Sequence, residues 1–322
     1  MDNNTVLVLA NPTEPQLAML ETLPEKTTIV VGERPEAFER SASEATIIFD
    51  WSGKKTLLEQ VWRIAPRIEW VHSRSAGLDG KLFPALVESP VPLTNGRGVF
   101  SQSLGEFVIA AALFFAKDLR RMLRSQAEGR WDPFDIEEIS GRTMGIVGYG
   151  DIGRAAARRA HALGMKVLAL RRRPELSRGD ECVAEVFAWE RKLEMLPRCD
   201  YVVAAAPLTA ETKSMIGAPE FAVMKRSAVV MNVGRGPVID EPAMIQALQE
   251  KRIKGAALDV FDTEPLPAGH PFYRMENVLM SPHCADHTSD WLEQAMTFFL
   301  RNFERFRNGE PLLNVVDKKQ GY

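Results

Sequence analysis

Short apolar runs and amphipathic segments alternate along this chain in two successive series. The first series covers about the first hundred residues and contains the strand-like runs TVLVLA, TTIVV, ATIIF and IEWVHS. The second series begins at Thr143 and contains TMGIVGYG, KVLAL, YVVAAAP, AVVMNVG, GAALDVF and NVLMSPH. Strands that alternate with helices indicate parallel sheets covered by helices, and nearly continuous apolar runs are typical of strands buried on both faces. The pattern therefore predicts an α/β fold with parallel sheets.

Two long helical segments flank the second series. The segment SLGEFVIAAALFFAKDLRRM places apolar residues at helical spacing, so it predicts one long helix that links two domains. The segment SDWLEQAMTFFLRNFERFRNGEP predicts a closing helix that returns the chain to the first domain. Because 322 residues exceed one typical core, we predict a domain of residues 1–101 plus 288–322, interrupted by a domain of residues 102–287.

The overall composition excludes several classes of protein. A formal net charge of -3 favours neither nucleic acid nor an anionic membrane as a partner. The start, MDNNTVLVLANPTEPQ, carries an acid and only a short apolar run, so we expect neither a signal peptide nor a membrane span. The three cysteines, at unrelated spacings, suit the reduced thiols of a cytoplasmic protein.

A metal site is the weaker interpretation of the segment around His283. His283, Cys284 and His287 are close enough in sequence to share a helical face and bind a metal. Pro282 precedes them, however, and only the segment after Thr288 has a helical pattern. We therefore predict no metal site.

The stretch GIVGYGDIG is typical of a phosphate-binding turn. Gly148, Gly150 and Gly153 have G-x-G-x-x-G spacing, with Asp151 and Ile152 between them, directly after a strand and before a helix. The first glycine permits a tight turn, the second lets the backbone approach a pyrophosphate, and the third lets helix and strand pack closely. The spacing alone also fits a glycine turn without a ligand, but the strand, turn and helix context favours a dinucleotide site.

The run VLALRRRP indicates which dinucleotide that site prefers. An NAD site expects an acidic residue roughly 20 residues after the glycines, where it binds the ribose 2′-OH. The residue 18 positions after Gly153 is Arg171. The side chains of Arg171, Arg172 and Arg173 offer forked donors to a 2′-phosphate. The alternative is a solvent-facing turn, since Pro174 ends the strand. We predict a preference for NADP, with NAD as the alternative.

Charged side chains follow three later strands of the second series. Arg235 lies between two glycines in NVGRG, where an arginine can hold a carboxylate with a bidentate fork. Asp259 and Glu264 follow the next strand, and His283 follows the one after it. In open α/β sheets, ligands bind beyond the carboxyl ends of the strands. A surface arginine would be the better interpretation of NVGRG alone, but the coincidence of the charged groups favours a functional site.

These motifs together resemble the D-isomer-specific 2-hydroxyacid dehydrogenases, a family that includes glyoxylate/hydroxypyruvate reductases and phosphoglycerate dehydrogenases. The matching elements are GYGDIG, APLTAETK, NVGRGPVID, AALDVFDTEPLP and SPHCA, with SAGLDG and the GEF helix upstream. They span nearly the whole chain and are specific to the family, though not to one substrate. The resemblance implies two Rossmann/flavodoxin-like domains, in which the substrate domain is interrupted by the NAD(P)-binding domain.

The resemblance also implies roles for the charged residues. Arg235 would orient a 2-oxo acid and polarise its carbonyl group, and His283 would protonate the carbonyl oxygen as hydride arrives. Glu264 would hold His283 in place. Backbone N–H groups of SAGLDG would complete the carboxylate pocket, and this substrate loop contains Ser75, Ala76 and Gly77.

The cofactor would meet further residues of the second domain. Asp259 would accept a hydrogen bond from the nicotinamide carboxamide, and Ala206 and Pro207 would border the adenosine half. Val233 completes the predicted cofactor-binding set. Arg74 and Arg97 flank the substrate loop, where each is equally well interpreted as a contact to a second anionic group or as a salt-bridged loop residue.

The implied reaction is reversible hydride transfer between NADP(H) or NAD(H) and a small 2-oxo acid/D-2-hydroxy acid pair, such as glyoxylate or hydroxypyruvate. Two alternatives stay open. The C-terminal binding protein corepressors share the fold and act as nucleotide-sensing interaction proteins, but they carry tails that we do not find here. A short-form phosphoglycerate dehydrogenase is the other alternative.

Trp131 matches a tryptophan that the family often places near a dimer contact, so we expect a homodimer. The alternative is that Trp131 only packs within its own chain.

Overall fold

The computed structural model describes residues 4–322, which form two compact units. Unit 1 comprises Met1–Phe100 and Ser289–Tyr322, and unit 2 comprises Ser101–Thr288. The strands are β1 (Thr5–Leu9), β2 (Thr28–Gly32), β3 (Ile47–Asp50), β4 (Trp70–Ser73), β5 (Leu93–Asn95), β6 (Thr143–Val147), β7 (Lys166–Leu170), β8 (Glu185–Phe187), β9 (Tyr201–Ala204), β10 (Val229–Asn232), β11 (Gly255–Leu258) and β12 (Val278–Met280). The α-helices are α1 (Lys55–Ile64), α2 (Pro84–Glu88), α3 (Ser101–Ala116), α4 (Leu119–Ala127), α5 (Asp151–Ala162), α6 (Lys192–Met195), α7 (Ala218–Val223), α8 (Glu241–Gln249) and α9 (Trp291–Arg307).

Unit 1 contains a five-stranded parallel sheet in the order β2-β1-β3-β4-β5. Helix α1 packs on one face of this sheet through apolar side chains such as Leu58 and Val61. The other face packs against α9, where the Phe299 ring stacks on Phe49 with 3.9 Å between ring centroids and also on Trp70. The sheet is therefore buried on both faces, as its apolar runs predict.

Unit 2 contains a seven-stranded parallel sheet in the order β12-β11-β10-β9-β6-β7-β8. The chain runs outward from β6 to β8 and then returns to the other side at β9, so the strand order reverses between β6 and β9. Ligands bind at such a reversal in doubly wound sheets. The two parallel sheets confirm the predicted α/β fold with two Rossmann/flavodoxin-like domains.

Some local elements differ from the sequence prediction. The amphipathic segment EPQLAMLETL follows the first apolar run, and its pattern predicts a helix. In the structure it is a 3-10 segment over Pro15–Thr22, in which Leu20 is buried and Leu17 and Met19 pack, partly buried, against the core. The predicted long linking helix is divided into α3 and α4 by Asp118, whose φ is +48° and whose side chain accepts from the N–H of Arg121 at the start of α4. No helix in residues 4–322 is both long and apolar enough to cross a membrane.

Candidate active site

The glycine turn after β6 has the geometry that its spacing predicts. Gly148 has a φ of +94° and lies against the backbone of Ala206, leaving no space for a side chain. A Cβ on Gly153 would lie 2.7 Å from the carbonyl oxygen of Gly148, so α5 packs tightly on the turn. Gly150 faces open space instead. The turn could therefore hold a dinucleotide pyrophosphate, because Gly150 leaves room for one and Asp151 and Ile152 lie in the first turn of α5.

The arginine run follows β7, where its members have different partners. Arg171 Nη1 donates to Ser177 Oγ at 2.5 Å. Arg172 Nε lies 3.7 Å from a carboxylate oxygen of Glu211. Burial, and then the positive charges of Arg154 and Arg173, lower the pKa of Arg171. Like charges are thus concentrated at Arg171, the position that the spacing assigns to a 2′-phosphate.

Arg154, which sequence reasoning missed, adds a further positive charge close to Arg171. It directly follows the third glycine, and its guanidinium carbon lies 5.9 Å from the ring centroid of Tyr149. The Tyr149 hydroxyl donates to Asp180 Oδ2 at 3.0 Å, and burial is the main cause of its raised pKa. Arg154 could have been found by asking which residues of the first turn of α5 share a side with the end of β7. We call Arg154, Arg171 and Arg173 the arginine cluster.

His283 and Glu264 form a direct pair. His283 Nδ1 lies 2.6 Å from Glu264 Oε2, while Glu264 Oε1 accepts from the N–H of Phe261 at 2.9 Å. Both carboxylate oxygens are thereby engaged, which fixes the carboxylate and, through it, the imidazole ring. Since a carboxylate accepts, Nδ1 is the donor, and this leaves Nε2 as the nitrogen that can exchange a proton with a ligand. The His283 side chain is 41% exposed, so the ring is accessible.

Asp259 holds the loop that carries His283. Its side chain is buried at the end of β11, and Oδ1 accepts from the N–H groups of Cys284 and Ala285, each at 3.0 Å. Its carbonyl oxygen accepts from the N–H of His283 at 2.9 Å. His283 itself has a φ of +52°, a conformation that these bonds maintain. The residue predicted to bind the cofactor carboxamide is therefore also a structural anchor, which the sequence did not indicate.

Asp286 is a second acidic residue of this loop that sequence reasoning missed. Burial is the main cause of its raised pKa, and the negative charge of Asp259 raises it further, while the positive charges of His287 and His283 lower it. His287 Nε2 lies 3.7 Å from Asp286 Oδ1. Within residues 4–322, no group of three or more His, Cys, Asp or Glu side chains is arranged to hold a metal ion.

Arg235 lies on a turn that is bound to its neighbours. The Asn232 side chain accepts from the N–H of Gly234 at 3.1 Å and donates to the carbonyl oxygen of Arg235 at 2.9 Å. Arg235 Nη1 donates to the carbonyl oxygen of Gly234 at 2.8 Å. A side chain on Gly236 would overlap the backbone of Phe261, which leads directly to Glu264. The turn with Arg235 and the segment with Glu264 are thus packed together in unit 2.

The remaining predicted cofactor residues lie at the ends of β9 and β10. Ala206 and Val233 are buried, whereas Pro207 is exposed. A Cβ on Gly234 would lie 2.7 Å from the carbonyl oxygen of Ala206, so the segments after these two strands are in close contact. Both segments end at the same edge of the sheet as the glycine turn.

In unit 1 the predicted substrate loop, Ser75 to Gly77, directly follows β4. Two of its carbonyl oxygens accept hydrogen bonds from within the unit. The carbonyl oxygen of Ser75 accepts from the N–H of Gly96 at 3.2 Å, and that of Ala76 accepts from Asn95 Nδ2 at 2.6 Å. The side chain of Ser75 accepts from Lys81 Nζ at 2.8 Å. The loop is therefore fixed by contacts on its carbonyl and side-chain atoms.

The two arginines that flank this loop differ in their surroundings. The Arg74 guanidinium lies between the rings of Trp51 and Trp291, 4.8 and 5.2 Å from their centroids, and burial lowers its pKa. Arg97 is exposed, and its Nη2 donates to Asn314 Oδ1 at 3.4 Å. Packing between two indoles favours a structural role for Arg74.

Comparison with known proteins identifies the family. The model of the family "D-isomer specific 2-hydroxyacid dehydrogenase, NAD binding domain" matches residues 109–285. A glyoxylate reductase from Korarchaeum cryptofilum (strain OPF8) is 33% identical over 81% of this chain and 79% of its own length.

Solved structures agree with that assignment. A D-isomer specific 2-hydroxyacid dehydrogenase from Xanthobacter autotrophicus Py2, solved with NADPH and MES, is 30% identical with a TM-score of 0.85 over 100% of both chains. An NADPH-dependent glyoxylate/hydroxypyruvate reductase from Sinorhizobium meliloti, solved with NADP and sulfate, is 28% identical with a TM-score of 0.84 over 99% of this chain and 100% of its own. The chain is therefore an NAD(P)-dependent enzyme of the D-isomer specific 2-hydroxyacid dehydrogenase family.

Proposed function

We propose that this enzyme reduces small 2-oxo acids, such as glyoxylate or hydroxypyruvate, and prefers NADPH. The observation that carries the proposal is the pair of His283 and Glu264, joined at 2.6 Å in the same unit as Arg235. An oriented imidazole supplies a proton, and an arginine supplies a fixed charge for a carboxylate. The names of the relatives support a substrate as small as glyoxylate.

Each charged side chain has a defined role in the proposed reaction. Arg235 binds the substrate carboxylate and polarises the neighbouring carbonyl group. His283 donates the proton on Nε2 to the carbonyl oxygen, which becomes the hydroxyl of the product, and Glu264 holds the ring through Nδ1. The nicotinamide cofactor, when bound, supplies the hydride. In the reverse direction His283 Nε2 accepts the proton of the hydroxyl group.

The preference for NADPH is supported by the arginine cluster. Arg171 is partly buried beside the positive charges of Arg154 and Arg173, and a 2′-phosphate would relieve this repulsion by accepting charge-assisted hydrogen bonds. NAD lacks the phosphate and is the alternative. The other residues proposed for the cofactor are Gly148, Gly150, Asp151, Ile152, Gly153, Arg172, Ala206, Pro207, Val233 and Asp259.

We also propose a homodimer. The Trp131 side chain is 97% exposed, and Leu123 and Ile136 nearby in the sequence are exposed as well. Large apolar side chains that stand exposed together favour a protein interface, and a second copy of the chain is the partner that the family resemblance implies. The cytoplasmic location stays a prediction, consistent with the free thiols of Cys182, Cys199 and Cys284.

The proposed function is tested by a substrate panel. Glyoxylate, hydroxypyruvate, pyruvate and 3-phosphohydroxypyruvate are each supplied with NADPH and with NADH, and the loss of absorbance of the reduced cofactor is followed. We expect the highest kcat/KM with NADPH and one of the first two acids. Turnover of 3-phosphohydroxypyruvate above the rest would favour a short-form phosphoglycerate dehydrogenase. Cofactor binding without turnover of any acid would favour a nucleotide-sensing protein and refute the reductase.

A further inference from the structure

A buried ion pair lies directly behind the substrate loop of unit 1. Asp50, at the end of β3, is fully buried, and Lys81 is 8% exposed. Lys81 Nζ lies 3.1 Å from Asp50 Oδ2 and donates to Ser73 Oγ and Ser75 Oγ, each at 2.8 Å. A buried ion pair is costly to form unless further hydrogen bonds satisfy both charges. We therefore expect this pair to have a functional role in addition to any contribution to stability.

The two serines differ in what remains of their hydrogen-bonding capacity. An ammonium group only donates, so both hydroxyl oxygens act as acceptors toward Lys81. The Ser73 hydroxyl donates in turn to Asp50 Oδ2 at 3.2 Å, which closes the network on that side. In residues 4–322 the Ser75 hydroxyl donates to no protein oxygen, although its oxygen is fixed by Lys81. Its hydrogen is therefore directed away from Lys81, toward an acceptor that the described residues do not supply.

The backbone around this network holds it in place. Asp50 Oδ1 accepts from the N–H of Gly53 at 2.9 Å, and the carbonyl oxygen of Asp50 accepts from the N–H of Arg74 at 3.0 Å. A Cβ on Gly53, whose φ is +73°, would lie 3.3 Å from Lys81 Nζ. The ammonium group is held beside Ser75 by its ion pair with Asp50 and its hydrogen bond to Ser73.

We propose that Lys81, held by Asp50, is a positioning residue that turns the Ser75 hydroxyl into a dedicated donor for the carboxylate of the 2-oxo acid. The inference rests on the proposed function in one respect, namely that the loop of Ser75 binds substrate. It adds a side-chain donor, and the buried charge that orients it, to the backbone groups that the loop offers. A carboxylate accepts such a donor in a short, charge-assisted bond.

The test uses the full-length enzyme saturated with NADPH and oxalate as an unreactive carboxylate. Ser75→Ala, Lys81→Met and the double variant are compared with Lys55→Met, which alters an exposed lysine of the same unit. We expect each single change to weaken oxalate binding about 10- to 100-fold, as loss of a hydrogen bond to a charged group implies. The double variant is expected to be no weaker than the worse single variant, because both remove the same bond. Lys55→Met and the affinity for NADPH stay unchanged.

Kinetics separate positioning from a structural role. In Lys81→Met the KM for glyoxylate rises by the factor seen with oxalate, while kcat stays within about threefold of the wild-type value, since the bond holds substrate and transition state alike. Should Lys81→Met fail to fold because Asp50 is left unpaired, Asp50→Asn/Lys81→Met removes both charges and is expected to give the same loss. Wild-type oxalate affinity in either folded variant, or losses that multiply in the double variant, would overturn the proposal. A wild-type enzyme that binds oxalate but reduces no 2-oxo acid would instead refute the reductase.

Discussion

Replacing Arg171 with alanine is expected to lower kcat/KM with NADPH and to leave kcat/KM with NADH unchanged or slightly raised. A hydrogen bond to a charged group contributes about 1.5–3 kcal/mol, which corresponds to a loss of about 10- to 100-fold with NADPH. NADH has no 2′-phosphate, so that bond is not lost. Moreover, the variant removes a partly buried charge that Arg154 and Arg173 repel. A small gain with NADH is therefore the expected direction.

The assay measures kcat/KM for both cofactors at saturating 2-oxo acid, with Arg178→Ala as the matched control. Arg178 is an exposed arginine of the same segment. Arg171→Ala also removes the hydrogen bond from Arg171 to Ser177. Thermal unfolding of each variant measures the effect of that loss on stability, so that it can be distinguished from an effect on cofactor binding. An equal loss with both cofactors would mean that Arg171 acts through the fold, and an unchanged value with NADPH would refute its contact with the phosphate.

Three further predictions concern the acid, the core and the surface. His283→Ala is expected to lower kcat about 10²- to 10⁴-fold while the NADPH affinity, measured by fluorescence titration, stays the same; retained turnover would refute the proton donor. Burial lowers the pKa of His72 to about 3, so between pH 6.5 and 3 the unfolded chain binds a proton that the folded chain does not. Lowering the pH from 7 to 4 should therefore reduce the free energy of unfolding of the wild type by about 3 kcal/mol through this residue. Urea titrations should show a smaller loss for His72→Phe, and an equal loss would contradict the assignment. Trp131→Glu is expected to shift the enzyme from dimer to monomer in analytical ultracentrifugation, and an unchanged sedimentation coefficient would place the contact elsewhere.

The features that the sequence predicts well are those encoded by neighbouring residues. Nearly continuous apolar runs predict doubly covered strands because burial on both faces leaves no position for a polar side chain. Gly153 is required by contacts with Gly148 and Ile146 of the same turn and strand, so the spacing alone carries that information. Gly148 is required locally by its positive φ, although it also lies against Ala206, which follows a distant strand. The pairing of Glu264 with His283 is different, because it came from the family resemblance rather than from any local pattern.

The features that sequence reasoning missed depend on contacts between distant segments. Asn232 reads as the end of an apolar strand, yet its amide shapes the turn of Arg235. Arg154 reads as one of several exposed helix charges, and only the fold brings it to Arg171. Lys81 reads as a loop lysine, whereas β3 and β4 place Asp50 beside it. A linear pattern contains no information on which strands become neighbours, so these roles could not be assigned from it.

The discontinuity of unit 1 has a consequence for how the chain is made. One face of its sheet, with Phe49 and Trp70, is covered by Met296, Phe299 and Phe303 of α9, which leave the ribosome only after the whole of unit 2. A nascent chain that has delivered residues 4–100 therefore carries an uncovered aromatic face throughout the synthesis of unit 2. Exposed apolar surface of this kind promotes aggregation and chaperone binding. The yield of active enzyme in a cell should accordingly depend on the speed of translation across residues 101–288.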